Sequence, residues 1–203
     1  MLKLKKVAIT GGVASGKSSV CQFFQELGAY VVSADALVHE LLCVENPLGQ
    51  QVLKIFGPNI LHQGKIDRRI LAEEAFKHPS QLEALEKLLH PAVLQRIEEL
   101  YKQANQERTY TLFVVEIPLL YEIHNEDAYD VVVAVLTDTA IAKKRFEQAG
   151  FAPHEYDRRM KRQWKPTQKA ERADYTLINN GSLARLRQEV IKLNAILKEN
   201  QFS

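Results

Sequence analysis

Residues 6–18 read KVAITGGVASGKS, and this stretch decides the fold. Its first part, KVAIT, is a short apolar run with the look of a buried β-strand. Its second part, Gly11-Gly12-Val13-Ala14-Ser15-Gly16-Lys17-Ser18, fits the pattern GxxxxGK[ST]. A helical pattern follows at once, with Val20, Phe23, Phe24 and Leu27 on one face of residues 18–27. Strand, glycine-rich loop and helix in this order form a phosphate-binding loop. The glycines let successive backbone N–H groups turn inward toward phosphate oxygens. The helix N-terminus adds its positive end at the same place. Lys17 is placed to reach the β- and γ-phosphates, and the Ser18 hydroxyl to ligate Mg²⁺. A chance glycine-rich turn is the alternative, and the flanking strand and helix argue against it. The candidate ATP-binding set is Gly12, Val13, Ala14, Ser15, Gly16, Lys17, Ser18 and Ser19.

Four more apolar runs resemble the first: residues 30–33 (YVVS), 112–117 (LFVVEI), 131–136 (VVVAVL) and 175–178 (YTLI). They are nearly continuous rather than alternating, the pattern of strands covered on both faces. Helical patterns separate them, at residues 36–42, 80–101 and 183–197, with Pro91 expected to break or kink the long one. Strands alternating with helices predict an α/β fold of the P-loop NTPase type, a parallel five-stranded sheet flanked by helices. About 80 mostly helical residues separate the second and third strands, too many for a simple crossover. Residues 36–108 are therefore expected to be a helical insertion. An irregular stretch at 141–172 separates the fourth and fifth strands. The core is expected in three pieces, 1–35, 109–140 and 173–203.

The chain has 203 residues, 46% of them hydrophobic and 26% charged, the composition of an ordinary globular protein. A chain of this size buries roughly 70% of its unfolded surface. Its two cysteines, Cys21 and Cys43, cannot form a disulfide framework and read as reduced buried thiols. The N-terminal MLKLKKVAIT carries too short an apolar run for an export signal. No stretch approaches the apolar length of a membrane span. A cytoplasmic protein is expected. The six histidines show no metal-ligand spacing, and His124-Asn125-Glu126-Asp127 reads as a solvated loop.

The net charge is only +2, but it is unevenly distributed. Residues 143–172 hold ten basic and four acidic side chains, so this segment is +6 and the remainder −4. A lid that closes on a nucleotide and a phosphorylated acceptor has this character. A solvated basic face accounts for most of the ten. A nucleic-acid patch using Trp164 is a third reading, and packing of that ring beside Pro166 the more ordinary one. Neither DxxG with NKxD nor the chain length of a motor is present, so a small-metabolite kinase suits the loop best. Such a kinase needs a carboxylate on the acceptor side. Asp35 follows the second strand and should lie at the carboxyl edge of the sheet, where α/β proteins bind ligands. It is either that carboxylate or the N-cap of helix 36–42, and the two are compatible.

Several segments together resemble the dephospho-CoA kinase family. They are ITGGVASGKS, ELGAYVVSADALVHEL, LLHPAV with His90 and Pro91, VVEIPLLYE with Pro118 to Glu122, RRMKRQ with Arg159 and Gln163, and KAERADYTLINNGSLARL. The resemblance implies ATP-dependent phosphorylation of the ribose 3′-hydroxyl of dephospho-CoA. It implies a helical CoA-binding insertion at 36–108 and a lid at 141–172. By this match Asp35 is the general base, and Lys17 and Arg145 stabilise the transferring phosphoryl group. Arg159 is a second lid cation. His90, Pro118, Leu119 and Leu120 lie near the acceptor, and Asn179 near the adenine of ATP. The expected partners are ATP and dephospho-CoA, with no nucleic acid and no membrane, in a monomer or small homo-oligomer. Ser33 stands where the family commonly has the first Asp of Asp-x-Asp, so a metal role there falls to Asp35, Ser18 and water. Ala14 stands where Gly is usual, which is tolerated if its φ is negative. Glu147-Gln148-Ala149-Gly150 lacks a second lid arginine, whose place Arg158 or Arg162 would take.

Overall fold

A computed structural model describes residues 3–199. The outer ends of the expected first and last core pieces, residues 1–2 and 200–203, lie outside the described residues. The chain divides into two compact units: residues 1–33 with 101–203, and residues 34–100.

The first unit is built on five parallel strands: β1 (Lys6–Gly11), β2 (Tyr30–Ser33), β5 (Phe113–Glu116), β6 (Val131–Leu136) and β7 (Tyr175–Ile178). Their spatial order is β2-β5-β1-β6-β7, so β1 lies at the centre and its carboxyl end is flanked by those of β5 and β6. Ile9 is level with Glu116 on one side and Val133 on the other. This parallel sheet flanked by helices is the architecture expected from the apolar runs. The strands are β-branched because the sheet is covered. Val7, Ile9, Val114 and Val133 are wholly buried in one cluster with Val20 and Phe24 of α1 (Lys17–Glu26) and Leu186 and Val190 of α9 (Leu183–Glu199). Burying a side chain of this size contributes about 1.5–3 kcal/mol. The stretch between β6 and β7 forms α6 (Thr139–Gln148), α7 (Pro153–Met160) and α8 (Pro166–Arg172).

The second unit is helical. It holds α2 (Ala34–Leu41), α3 (Pro47–Phe56), α4 (Arg68–Lys77) and most of α5 (Pro79–Glu107). A two-residue hairpin, β3 (Leu61–His62) with β4 (Lys65–Ile66), joins α3 to α4. The unit has its own core, in which Leu42, Val52, Ile60, Leu71 and Leu85 are buried. Two side chains set its helix starts. Asn46 accepts a hydrogen bond from the Leu48 N–H ahead of Pro47, and Asp67 accepts from those of Arg69 and Ile70.

One expectation about this region is corrected. α5 runs unbroken through Pro91, because Leu85, Val93 and Ile97 bury one stripe on both sides of it. The compact helical unit spans residues 34–100. The last turns of α5 belong with the sheet: Tyr101 packs edge-on against Phe113 and its hydroxyl donates to the Leu4 carbonyl at 2.9 Å.

Candidate active site

The phosphate loop leaves the carboxyl end of β1 and enters α1. Gly16 is the N-cap residue with φ +97°, a left-handed conformation open to glycine. A Cβ there would also collide with the side-chain amide of Asn179. Lys17 is buried, and its ammonium donates to the Gly12 carbonyl at 2.8 Å and that of Gly11 at 3.3 Å. The loop thus holds a buried cation over its own carbonyl groups, poised to exchange them for phosphate oxygens.

The condition under which Ala14 would replace glycine without strain is not met. Its φ is +54°, not negative. An L-residue in the left-handed region is strained by about 1–2 kcal/mol. Packing offsets part of that strain. Ala14 lies with Val13 and Met160 against the buried cluster of Ala142, Phe146 and Tyr156 from α6 and α7.

Asn179 follows β7 and is 3% exposed. Its amide Nδ2 donates to the Ser15 carbonyl at 2.8 Å, and its Oδ1 accepts from Arg145 Nη2 at 3.4 Å. Thr137, following β6, donates its hydroxyl to the same Ser15 carbonyl at 2.9 Å. Asn179 therefore braces the loop and orients a cation, a role its place in the chain did not suggest. Arg145 Nη1 is buried without a hydrogen-bond partner. A buried guanidinium donor left open beside a phosphate loop is poised for an anion.

Glu116 is the site residue that sequence reasoning missed. It ends β5, next to the loop strand, and accepts a hydrogen bond from Ser18 Oγ at 2.9 Å. The available signal was an acid closing an apolar run, FVVE. The register sets Glu116 level with Ser33, so a carboxylate stands beside the position where the family commonly carries one.

Other expected residues are placed as follows. Asp35 is exposed in the first turn of α2, which begins at Ala34. It is therefore not the N-cap, and its negative charge is favourable in a first turn. His90 is half-buried within α5. Pro118 and Leu119 are half-buried, whereas Leu120 is fully buried and presents no surface to a ligand. Arg159 lies over the rings of Phe151 and Phe146, with its carbon 4.7 and 5.2 Å from their centroids, and pairs with Glu155 at 3.4 Å.

Part of the basic segment is committed to the fold. Lys143 pairs with Asp157 at 2.9 Å, and that bond raises its pKa. Arg172 pairs with Glu126 at 3.2 Å and lies over Trp164 and Tyr121. Trp164 stacks on Tyr121 at 5.6 Å, so its ring is used in packing. Lys169 is buried on Glu122.

A family model described as dephospho-CoA kinase matches residues 5–185. A dephospho-CoA kinase of Protochlamydia amoebophila is 44% identical over 200 residues, 98% of each chain. The crystal structure of a Thermus thermophilus protein superposes with a TM-score of 0.79 at 29% identity, covering 96% of this chain and 98% of that one. The dephospho-CoA kinase of Campylobacter jejuni superposes with a TM-score of 0.71 at 27% identity over the same shares. With its phosphate loop, parallel sheet and near-complete match, the chain belongs to the dephospho-CoA kinase family.

Proposed function

We propose that the chain transfers the γ-phosphoryl group of ATP to the ribose 3′-hydroxyl of dephospho-CoA, giving CoA and ADP, the last step of coenzyme A synthesis. The carrying observation is a Gly-Lys-Ser loop with its lysine buried at the carboxyl end of the central strand, in a chain of this family. Phosphoryl transfer asks for little covalent help from the protein. It depends on positioning and on neutralising charge.

The loop amides and the start of α1 cradle the phosphates, and Lys17 bridges to the γ-phosphate. Arg145, steadied by Asn179, meets the charge that develops on the transferring group. Its contact strengthens toward the transition state and so acts on kcat. Asp35 accepts the proton of the 3′-hydroxyl. His90, Pro118 and Leu119 hold the acceptor, and Arg159 adds a cation from the lid at 141–172.

Mg²⁺ fits the residues present. Ser18 Oγ and Glu116 are hard oxygen donors 2.9 Å apart at a helix N-terminus. No group of three or more His, Cys, Asp or Glu among the described residues could hold a metal. One carboxylate and one hydroxyl, completed by phosphate oxygens and water, is the usual manner of holding this ion. When bound, it would neutralise β- and γ-phosphate charge. A cytosolic location is part of the same proposal; no described helix is long and apolar enough to cross a membrane.

The test is ADP release from MgATP with dephospho-CoA, compared with nucleoside monophosphates. Turnover with dephospho-CoA alone is expected. Turnover with a nucleoside monophosphate and none with dephospho-CoA would overturn the reading.

A further inference from the structure

Helix α8 touches two parts of the first unit that the reaction uses. Its first residue, Pro166, lies against the phosphate loop: a Cβ added at Gly12 would stand 2.9 Å from Pro166 Cγ. One turn on, Lys169 is wholly buried. Its ammonium donates to the Pro118 carbonyl at 2.6 Å and to Glu122 Oε1 at 2.8 Å. Both acceptors lie on the turn that follows β5. The same turn is held from two other directions. Thr10 Oγ1, at the end of β1, donates to the Pro118 carbonyl at 3.3 Å, and the Trp164 N–H donates to Glu122 Oε1 at 2.7 Å.

A buried ammonium is a costly way to fill space. Burial lowers the pKa of Lys169, and only the bond to Glu122 opposes that. Buried ion pairs are often replaced by apolar residues without loss of stability, so packing alone does not call for one here. What an apolar residue cannot do is grip a carbonyl and a carboxylate on one turn at fixed distance. We propose that Lys169 is a positioning residue: it clamps residues 118–122 onto α8 and so sets the acceptor turn against the phosphate loop that Pro166 touches. This rests on the reading above, in which Pro118 and Leu119 face the acceptor. The clamp acts on acceptor binding and leaves ATP binding alone, because the loop's own braces, Asn179 and Thr137, are elsewhere.

The test is the double variant Lys169→Met with Glu122→Gln. It removes both charges together, and the side-chain carbonyl of the introduced glutamine still accepts from the Trp164 N–H. A KM for dephospho-CoA raised about tenfold is expected, with the KM for ATP within about twofold of wild type. A dephospho-CoA KM within about twofold of wild type, or equal rises in both KM values, overturns the proposal. A second readout needs no substrate. The Ile123 and Asn125 amides bond to the Leu119 and Leu120 carbonyls, and in the variant they should exchange hydrogen about tenfold faster, with α1 unchanged. Unchanged protection there overturns the clamp. If wild type fails to turn over dephospho-CoA, the functional reading falls, and exchange alone decides the clamp. Should the double variant not fold, the single substitutions decide. Glu122→Gln keeps the ammonium on Pro118 and should raise the KM less than Lys169→Met. The reverse order overturns the proposal.

Discussion

Replacing Asn179 with Ala tests the brace between the phosphate loop and Arg145. The side chain is 3% exposed and makes two hydrogen bonds, to Ser15 and Arg145. The Ser15 carbonyl keeps Thr137 as a donor, so losing the amide there costs about 1 kcal/mol. The guanidinium loses its acceptor while Nη1 is already unpartnered; a hydrogen bond to a charged group is worth about 1.5–3 kcal/mol, and this one is long, so the lower end applies. With a small cavity added, a destabilisation of about 3 kcal/mol is expected. Urea unfolding measures it, read at unchanged m-value. The functional part is separate. If Asn179 orients Arg145, truncating either should lower kcat, and truncating both should do little more than Arg145→Ala alone. A double-mutant cycle on kcat should show coupling of about 1 kcal/mol or more, roughly fivefold. Additive losses, or wild-type kcat in Asn179→Ala, would refute the brace even if stability falls as expected.

Other substitutions follow from the same geometry. Ala14→Gly removes the left-handed strain but also loses a half-buried methyl and adds chain entropy, so stability in urea should stay within about 1 kcal/mol of wild type. Ala14→Val, β-branched at φ +54°, should lose about 2 kcal/mol or more in the same assay. In Glu116→Gln the Mg²⁺ concentration for half-maximal rate should rise about tenfold, because the neutral amide is a poorer donor for a hard cation. An unchanged Mg²⁺ profile would remove Glu116 from the metal site. Asp35→Asn should lower kcat by about a hundredfold or more while calorimetry shows ATP affinity within about twofold. Wild-type turnover would leave Asp35 without a part in proton transfer.

The sheet was legible because its strands are buried on both faces and therefore written as β-branched runs. Residues 30–33, 131–136 and 175–178 form strands as read. The phosphate loop was legible because its chemistry requires a local pattern. Features set by distant partners were not. The start of α2 at Ala34 differs by two residues from the periodicity, which marks apolar positions and not the first turn. Pro91 reads as a break, yet burial on both sides of it carries α5 through. The φ of Ala14 is imposed by the loop and supported by α6 and α7. Glu116 meets Ser18, and Lys169 meets Glu122, only once the sheet and α8 have assembled. Such pairs leave no periodic trace in the chain. The hairpin of β3 and β4, with two residues in each strand, was also too short to register.

The claim at the centre of this account is that the phosphoryl group goes to the ribose 3′-hydroxyl of dephospho-CoA. Phosphorus NMR of the product formed from MgATP and dephospho-CoA tests it most directly. The account predicts a new phosphomonoester resonance coupled to the ribose 3′ proton, growing in step with ADP. ADP formed without that resonance, or a new phosphate carried at any other position, would contradict it.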